Sequence, residues 1–108
     1  MDRGKLLRIF VDEGDRWNGQ PLYAAIVEAL KADGFAGATV LKGVEGFGAR
    51  KAVHSARTVD FSTNLPVLIE VLESAEKIIA FIPKLREMMR EGLITLENVQ
   101  MLRITRDA

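Results

Sequence analysis

A chain of 108 residues, 48% hydrophobic and 28% charged, suffices for one hydrophobic core but not two, so a single domain spanning residues 1–108 is expected. Fifteen basic residues balance fifteen acidic ones, which excludes the basic field of a dedicated nucleic-acid or anionic-membrane binder. The absence of cysteine excludes a disulfide framework, a thiolate metal site and a cysteine nucleophile, and it suits a reducing compartment, so a cytoplasmic location is expected.

The N-terminal stretch "MDRGKLLRIFVDEGDR" lacks the apolar core of a signal peptide. No apolar run approaches the roughly 20 residues of a membrane span, and no direct membrane insertion is expected. Residues 5–12 read as a strand with Leu7, Ile9 and Val11 on one face and Leu6, Arg8 and Phe10 on the other. "NGQPLYAAIVEALKADG" then reads as a helix. Pro21 suits its first turn, Leu22, Ile26, Ala29 and Leu30 fall at helical spacing, and Gly34 suits the position just past its end.

"GATVLKGV" predicts a second strand from near Ala38 toward Gly43 or beyond, and "LPVLIEVLE" a third, with Val67, Ile69 and Val71 on one face and Leu68, Glu70 and Leu72 on the other. Ser74 can cap a second helix whose predicted stripe is Ile78, Ile79, Ile82, Leu85 and Met89. Pro83 removes a backbone donor there and predicts a kink or a later start. Gly92 is expected to end that helix, and "ENVQMLRIT" to supply the last strand.

The resulting order, βαββαβ, is that of an α+β, ferredoxin-like sandwich with a four-stranded antiparallel sheet. Leu6, Phe10, Leu68 and Leu72 would leave the second face of the sheet more apolar than a small monomer usually exposes, which predicts a homo-oligomer that covers it.

Between Gly46 and Val59 there is no acid, while Arg50, Lys51, His54 and Arg57 are all present. Backbone at Gly46 and Gly48 can approach an anion, and Arg50 adds charge and donors, so these residues are candidate ligand contacts. The spacing fits neither a Walker loop nor a dinucleotide fingerprint, and the alternative is a long hairpin whose glycines relieve strain. His54 is the only histidine, so one subunit offers no histidine cluster, and no metal site is expected. His54 next to Ser55 lacks a nucleophile elbow and a positioned acid, so no catalytic residue is assigned and the chain is expected not to be an enzyme.

"VDEGDRWNG", residues 11–19, reads as turn chemistry or a subunit contact around Asp12, Glu13 and Asp15. Glu91, Gly92 and Thr95 lie in "REGLITLENV", which alone reads as helix stop and turn. Arg103 and Arg106 near the C-terminus are cations that can face solvent, an anion or a neighbouring subunit.

Through "LRIFVDEGDRWNGQPLYAAIVEALKADGFAGATVLKGVEGFGA", "LPVLIEVLES" and "GLITLENV", nearly the whole chain resembles the DUF190 (UPF0166) family of PII-like proteins. The resemblance implies a ferredoxin-like subunit in a homotrimer, without catalysis. It implies that the segment between the second and third strands corresponds to the T-loop by which PII-type proteins engage partners. Adenine nucleotides or related effectors, with or without magnesium, would then sit in clefts between subunits, here at Gly46 to Arg50 and Glu91 to Thr95, while Lys51, His54 and Arg57 would face a protein partner. Some relatives are encoded beside or fused to CrcB-type fluoride-channel domains, which implies a membrane channel as partner.

The expected function is therefore a trimeric signalling protein that binds a small anionic effector and acts through its basic loop. The alternatives are an assembly protein without ligand, an RNA-binding sheet and a small hydrolase. The sheet lacks the aromatic signature of RNA-recognition domains, and no nucleic acid is expected as a partner.

Overall fold

The computed structural model describes residues 1–47, the backbone of residues 54 and 55, and residues 65–106. β1 (Asp2–Asp12) has the predicted alternation: Leu7 and Ile9 are fully buried and Val11 nearly so, while Leu6, Arg8 and Phe10 lie on the opposite face. Three further strands join it, β4 (Thr39–Lys42), β7 (Pro66–Glu73) and β8 (Leu93–Met101), in the order β4-β7-β1-β8 with every pairing antiparallel. Two helices, α1 (Leu22–Ala32) and α2 (Ala75–Met88), contribute to one core with the buried face of this sheet, which is the ferredoxin-like α+β arrangement.

Local chemistry accounts for the element ends. Pro21 stands immediately before α1, and Gly34, with φ of +80°, follows its last turn, where its amide donates to the carbonyl of Lys31. Ser74 caps α2 by accepting a hydrogen bond at Oγ from the amide of Lys77. β2 (Arg16–Trp17) and β3 (Gln20–Pro21) form a small hairpin across Asn18 and Gly19, both at positive φ as a type I′ turn requires. Turn chemistry was expected in this stretch, and the hairpin is its specific form.

Three expectations are corrected. The buried stripe of α2 is Ile78, Phe81, Leu85 and Met88, so it runs one position away from the expected Ile79, which is 55% exposed. Helix α2 begins at Ala75 and continues through Pro83. The carbonyl that Pro83 leaves without its amide partner belongs to exposed Ile79, where water can bind it. Helix α2 then stops at Met88, because Met89 is already extended (φ −99°, ψ 130°), and Gly92 instead turns the chain into β8, which begins at Leu93 rather than Glu97.

The open face of the sheet is organised in rows. Register aligns Leu41, Leu68, Phe10 and Leu93 across all four strands, then Thr39, Glu70, Arg8 and Thr95, and then Leu72, Leu6 and Glu97. Phe10, Leu41, Leu72 and Leu93 are exposed, so the apolar second face read from the sequence is present and extends farther, to β4 and β8.

Glu73 ties the end of β7 to the segment after α1. Its two oxygens accept from the amides of Ser74 (3.0 Å) and Ala36 (3.2 Å). The Ser74 hydrogen bond holds the Glu73 carboxyl below its ordinary value against the opposing effect of burial, and the Ala36 amide, Lys77 and Arg103 add to the lowering. A carboxylate lowered in the folded state stabilises above its unfolded value and loses that contribution as pH falls through the folded one. Glu73→Gln should therefore be less stable than wild type at pH 7, by about 1 kcal/mol for the lost hydrogen bonding, and the gap should narrow as pH falls below the ordinary glutamate range. Urea midpoints measured across that range check this, and a gap independent of pH would contradict it.

Candidate functional site

The Gly92 turn brings the start of β8 against the end of β1. At φ +142°, a Cβ on Gly92 would stand 2.7 Å from the carbonyl oxygen of Phe10 and 2.5 Å from Cε of Met89, so glycine is what permits this approach. On the other side of β1, Asp12 pairs with Pro66, the first residue of β7. The amide of Gly43 donates to the Pro66 carbonyl at 2.7 Å, and the chain after β4 bends around the proline ring. A Cβ on Gly43 or Gly46 would fall 2.7 or 3.0 Å from Pro66 Cγ. That close passage delivers β5 (Glu45–Gly46) and then Phe47 to the same end of the sheet as Gly92.

The result is an open groove of about 390 Å³. Phe10, Phe47, Pro66 and Leu93 give it an apolar surface, and Asp12, Asp15 and Glu91 give it an acidic rim, with no Lys, Arg or His among the described lining residues. Asp15 has a structural duty here: its Oδ2 accepts from the amide of Asp12 at 3.0 Å, and its own amide donates to the Asp12 carbonyl at 3.1 Å. Beyond Asp15 and Glu91 the surface continues into a second, more polar groove of about 760 Å³ that includes Arg16, Trp17 and Arg90. A third, of about 680 Å³, lies at the far end of the open face beside Leu6, Leu72 and Arg103.

Of the residues singled out in the sequence, Glu91 and Gly92 line the first groove, and Gly46 shapes it from behind Pro66. Thr95 does not line it and stands opposite Arg8 in the polar row of the open face. The backbone of His54 pairs with Gly46, joining β5 to β6 (His54–Ser55). Gly48, Arg50, Lys51 and Arg57 lie outside the described residues. Phe10, Phe47, Pro66 and Leu93 were not foreseen as a group. The available signal was the apolar residue that follows Gly46 and the one that follows Gly92, but only the strand order brings these beside Phe10 and Pro66.

Among the described residues no cluster of three or more His, Asp and Glu side chains could hold a metal ion, and no helix is long and apolar enough to cross a membrane.

Comparison with known proteins matches residues 4–101 to the family described as DUF190, Uncharacterized ACR, COG1993. A UPF0166 protein of Aquifex aeolicus (strain VF5) is 36% identical over 98 residues, covering 91% of this chain and 92% of the relative. The UPF0166 protein MJ1524 of Methanocaldococcus jannaschii is 39% identical over 99 residues, 91% of each chain. Among solved structures, a protein of Thermus thermophilus described as PII-like superposes with a TM-score of 0.65 at 24% identity, over 92% of this chain and 91% of that one. CPII of Thiomonas intermedia K12, bound to ADP and bicarbonate, superposes with a TM-score of 0.60 at 17% identity, over 94% and 91%. At these identities the structures speak for the fold.

Proposed function

Because the chain belongs to the DUF190 (UPF0166) family and has a PII-like fold, we propose that it is a non-enzymatic signalling protein. In this reading it is a homotrimer that binds a small anionic effector, such as an adenine nucleotide, between subunits and acts on a protein partner through the basic segment that follows Gly46. The observation that carries the reading is the convergence on one groove of the Gly92 turn, the end of β1 and Phe47, the residue that leads into that segment. A planar ring suits Phe10, Phe47 and Leu93, and a ligand touching Phe47 would favour some conformations of the following chain over others.

The charge of the groove supports a site between subunits. Three carboxylates line it and no described lining residue is a cation, so an anion needs positive charge from outside the lining. Arg50, Lys51 and Arg57 are one source, and Arg103 and Arg106 of a neighbouring copy are another. CPII of Thiomonas intermedia K12, which shares the fold, is bound to ADP in one structure and to ADP and AMP in another, which selects the first probes. A membrane channel of the CrcB type is a partner to test only after an effector is in hand.

Calorimetric titration with AMP, ADP and ATP at physiological salt, with and without magnesium, should show saturable binding of at least one nucleotide. Binding should weaken at least tenfold in Phe47→Ala. If no nucleotide binds, the second reading gains, a ligand-free assembly protein, which the acidic rim and the exposed apolar face favour.

A further inference from the structure

We infer that the groove beside Gly92 receives the planar ring of its ligand, that the Asp12 carboxylate accepts a hydrogen bond from an N–H on the edge of that ring, and that the ligand's anionic end stays outside. The inference rests on the effector reading above and deepens it, because it says which end of an effector such as an adenine nucleotide this groove recognises, and by which residue.

The lining favours a ring over an anion on two counts. Phe10, Phe47, Pro66 and Leu93 give a flat heteroaromatic ring apolar area to cover, in a volume of about 390 Å³ that lies at the small end of ligand pockets. The polar side chains that line it, Asp12, Asp15 and Glu91, are all carboxylates, so among the described residues no lining side chain is a cation or a hydrogen-bond donor. A phosphate placed there would give up water and meet only like charge. A ring edge that carries N–H groups would meet the acceptors it needs.

Asp12 is the acceptor placed for that edge. It follows Phe10 by two residues in β1, so its carboxylate and the Phe10 ring leave the strand on the same face. Its backbone is held from both sides by Asp15, whose Oδ2 accepts from the Asp12 amide at 3.0 Å and whose amide donates to the Asp12 carbonyl at 3.1 Å. Asp15 is thereby committed to the turn, and Glu91 has an interaction of its own, whereas the Asp12 carboxylate makes no hydrogen bond or ion pair with a described residue. A carboxylate accepts and cannot donate, and a hydrogen bond to it is charge-assisted, so it separates a ring edge bearing N–H from one bearing only lone pairs or C–H. Phe10, Asp12 and Phe47 belong to one chain, so the ring site is complete in a single copy, while the cations that meet the anionic end come from elsewhere.

The test is calorimetric titration of the full chain with adenosine, AMP, ATP and purine riboside, which is adenosine without its amino group and so without an N–H on the ring. Wild type should bind adenosine about tenfold more tightly than purine riboside. Asp12→Ala removes the acceptor, and it should weaken adenosine and AMP by the same factor, about tenfold, and abolish the preference between adenosine and purine riboside. Asp12→Asn keeps an acceptor oxygen without the charge and should fall between, which preserves the comparison if circular dichroism shows that the alanine variant does not fold. Were the phosphates in the groove instead, removing a carboxylate would tighten binding, more for ATP than for AMP and not at all for adenosine. That result, or equal wild-type affinity for adenosine and purine riboside, would overturn the inference while leaving the effector reading intact. Failure of AMP and ATP to bind at all would overturn the nucleotide reading itself and this inference with it.

Discussion

Gly92→Val should cost about 3 kcal/mol or more and lower the melting temperature by on the order of 15 °C. Two separate causes add. The backbone at φ +142° lies in a region that side-chain-bearing residues hardly occupy, and the new Cβ would meet the carbonyl oxygen of Phe10 at 2.7 Å. The Met89 methyl, 2.5 Å away, can swing aside, but the Phe10 carbonyl belongs to a central strand paired on both sides and cannot. Gly19→Ala is the discriminating control: Gly19 also has positive φ, at +81°, yet nothing lies within 4 Å of its Cβ position. That variant should lose only about 1 kcal/mol, the conformational part alone. Thermal and urea unfolding of both variants measure the difference. Equal losses would mean that the approach of the Gly92 turn to β1 is not what requires glycine.

Phe81→Ala is expected to be comparably damaging, at about 3–5 kcal/mol. Phe81 is 1% exposed, is the α2 member of the core cluster with the largest side chain, and meets Phe35 edge-on with ring centroids 5.3 Å apart. Ile79→Ala, two residues away on the exposed side of the same helix, should change stability by less than about 1 kcal/mol. Denaturant titration of the pair tests the corrected stripe directly, because the stripe expected from the sequence predicts a large loss at Ile79.

That correction shows where pattern reading succeeds and where it fails. The facing of each residue read in strands β1 and β7 was legible, because alternation with period two leaves only two assignments and Arg8 and Glu70 mark the wet one, although β1 begins at Asp2, three residues before the stretch read as a strand. In α2 the run Ile78, Ile79, Phe81 and Ile82 is apolar on more than one side, so periodicity alone could not choose the buried line. The end of α2 was misplaced because Gly92 resembles a helix stop, whereas its glycine is needed for closeness to Phe10. The family and its fold were legible from long motifs, and Glu91 and Gly92, singled out with them, line the groove beside Phe10. Phe10 and Phe47 were not, since their meeting depends on β1 and the chain after β4 reaching one end of the sheet, a matter of strand order rather than of local sequence.

The bend around Pro66 has a last consequence, for how this chain can change. The amide of Gly43 bonds to the Pro66 carbonyl and the amide of Glu13 to that of Leu65, so the excursion between residues 43 and 66 is pinched shut at its neck. Once a neck is closed by the sheet itself, doubling the length of what hangs from it costs only about 0.6 kcal/mol of closure entropy. The fold thus offers a port at which segments can be exchanged, lengthened or replaced by a whole inserted domain while the sandwich beneath keeps its stability. The sequence of the segment and the stability of the fold can then vary almost independently, with Gly43, Gly46 and Pro66 shaping the junction between them.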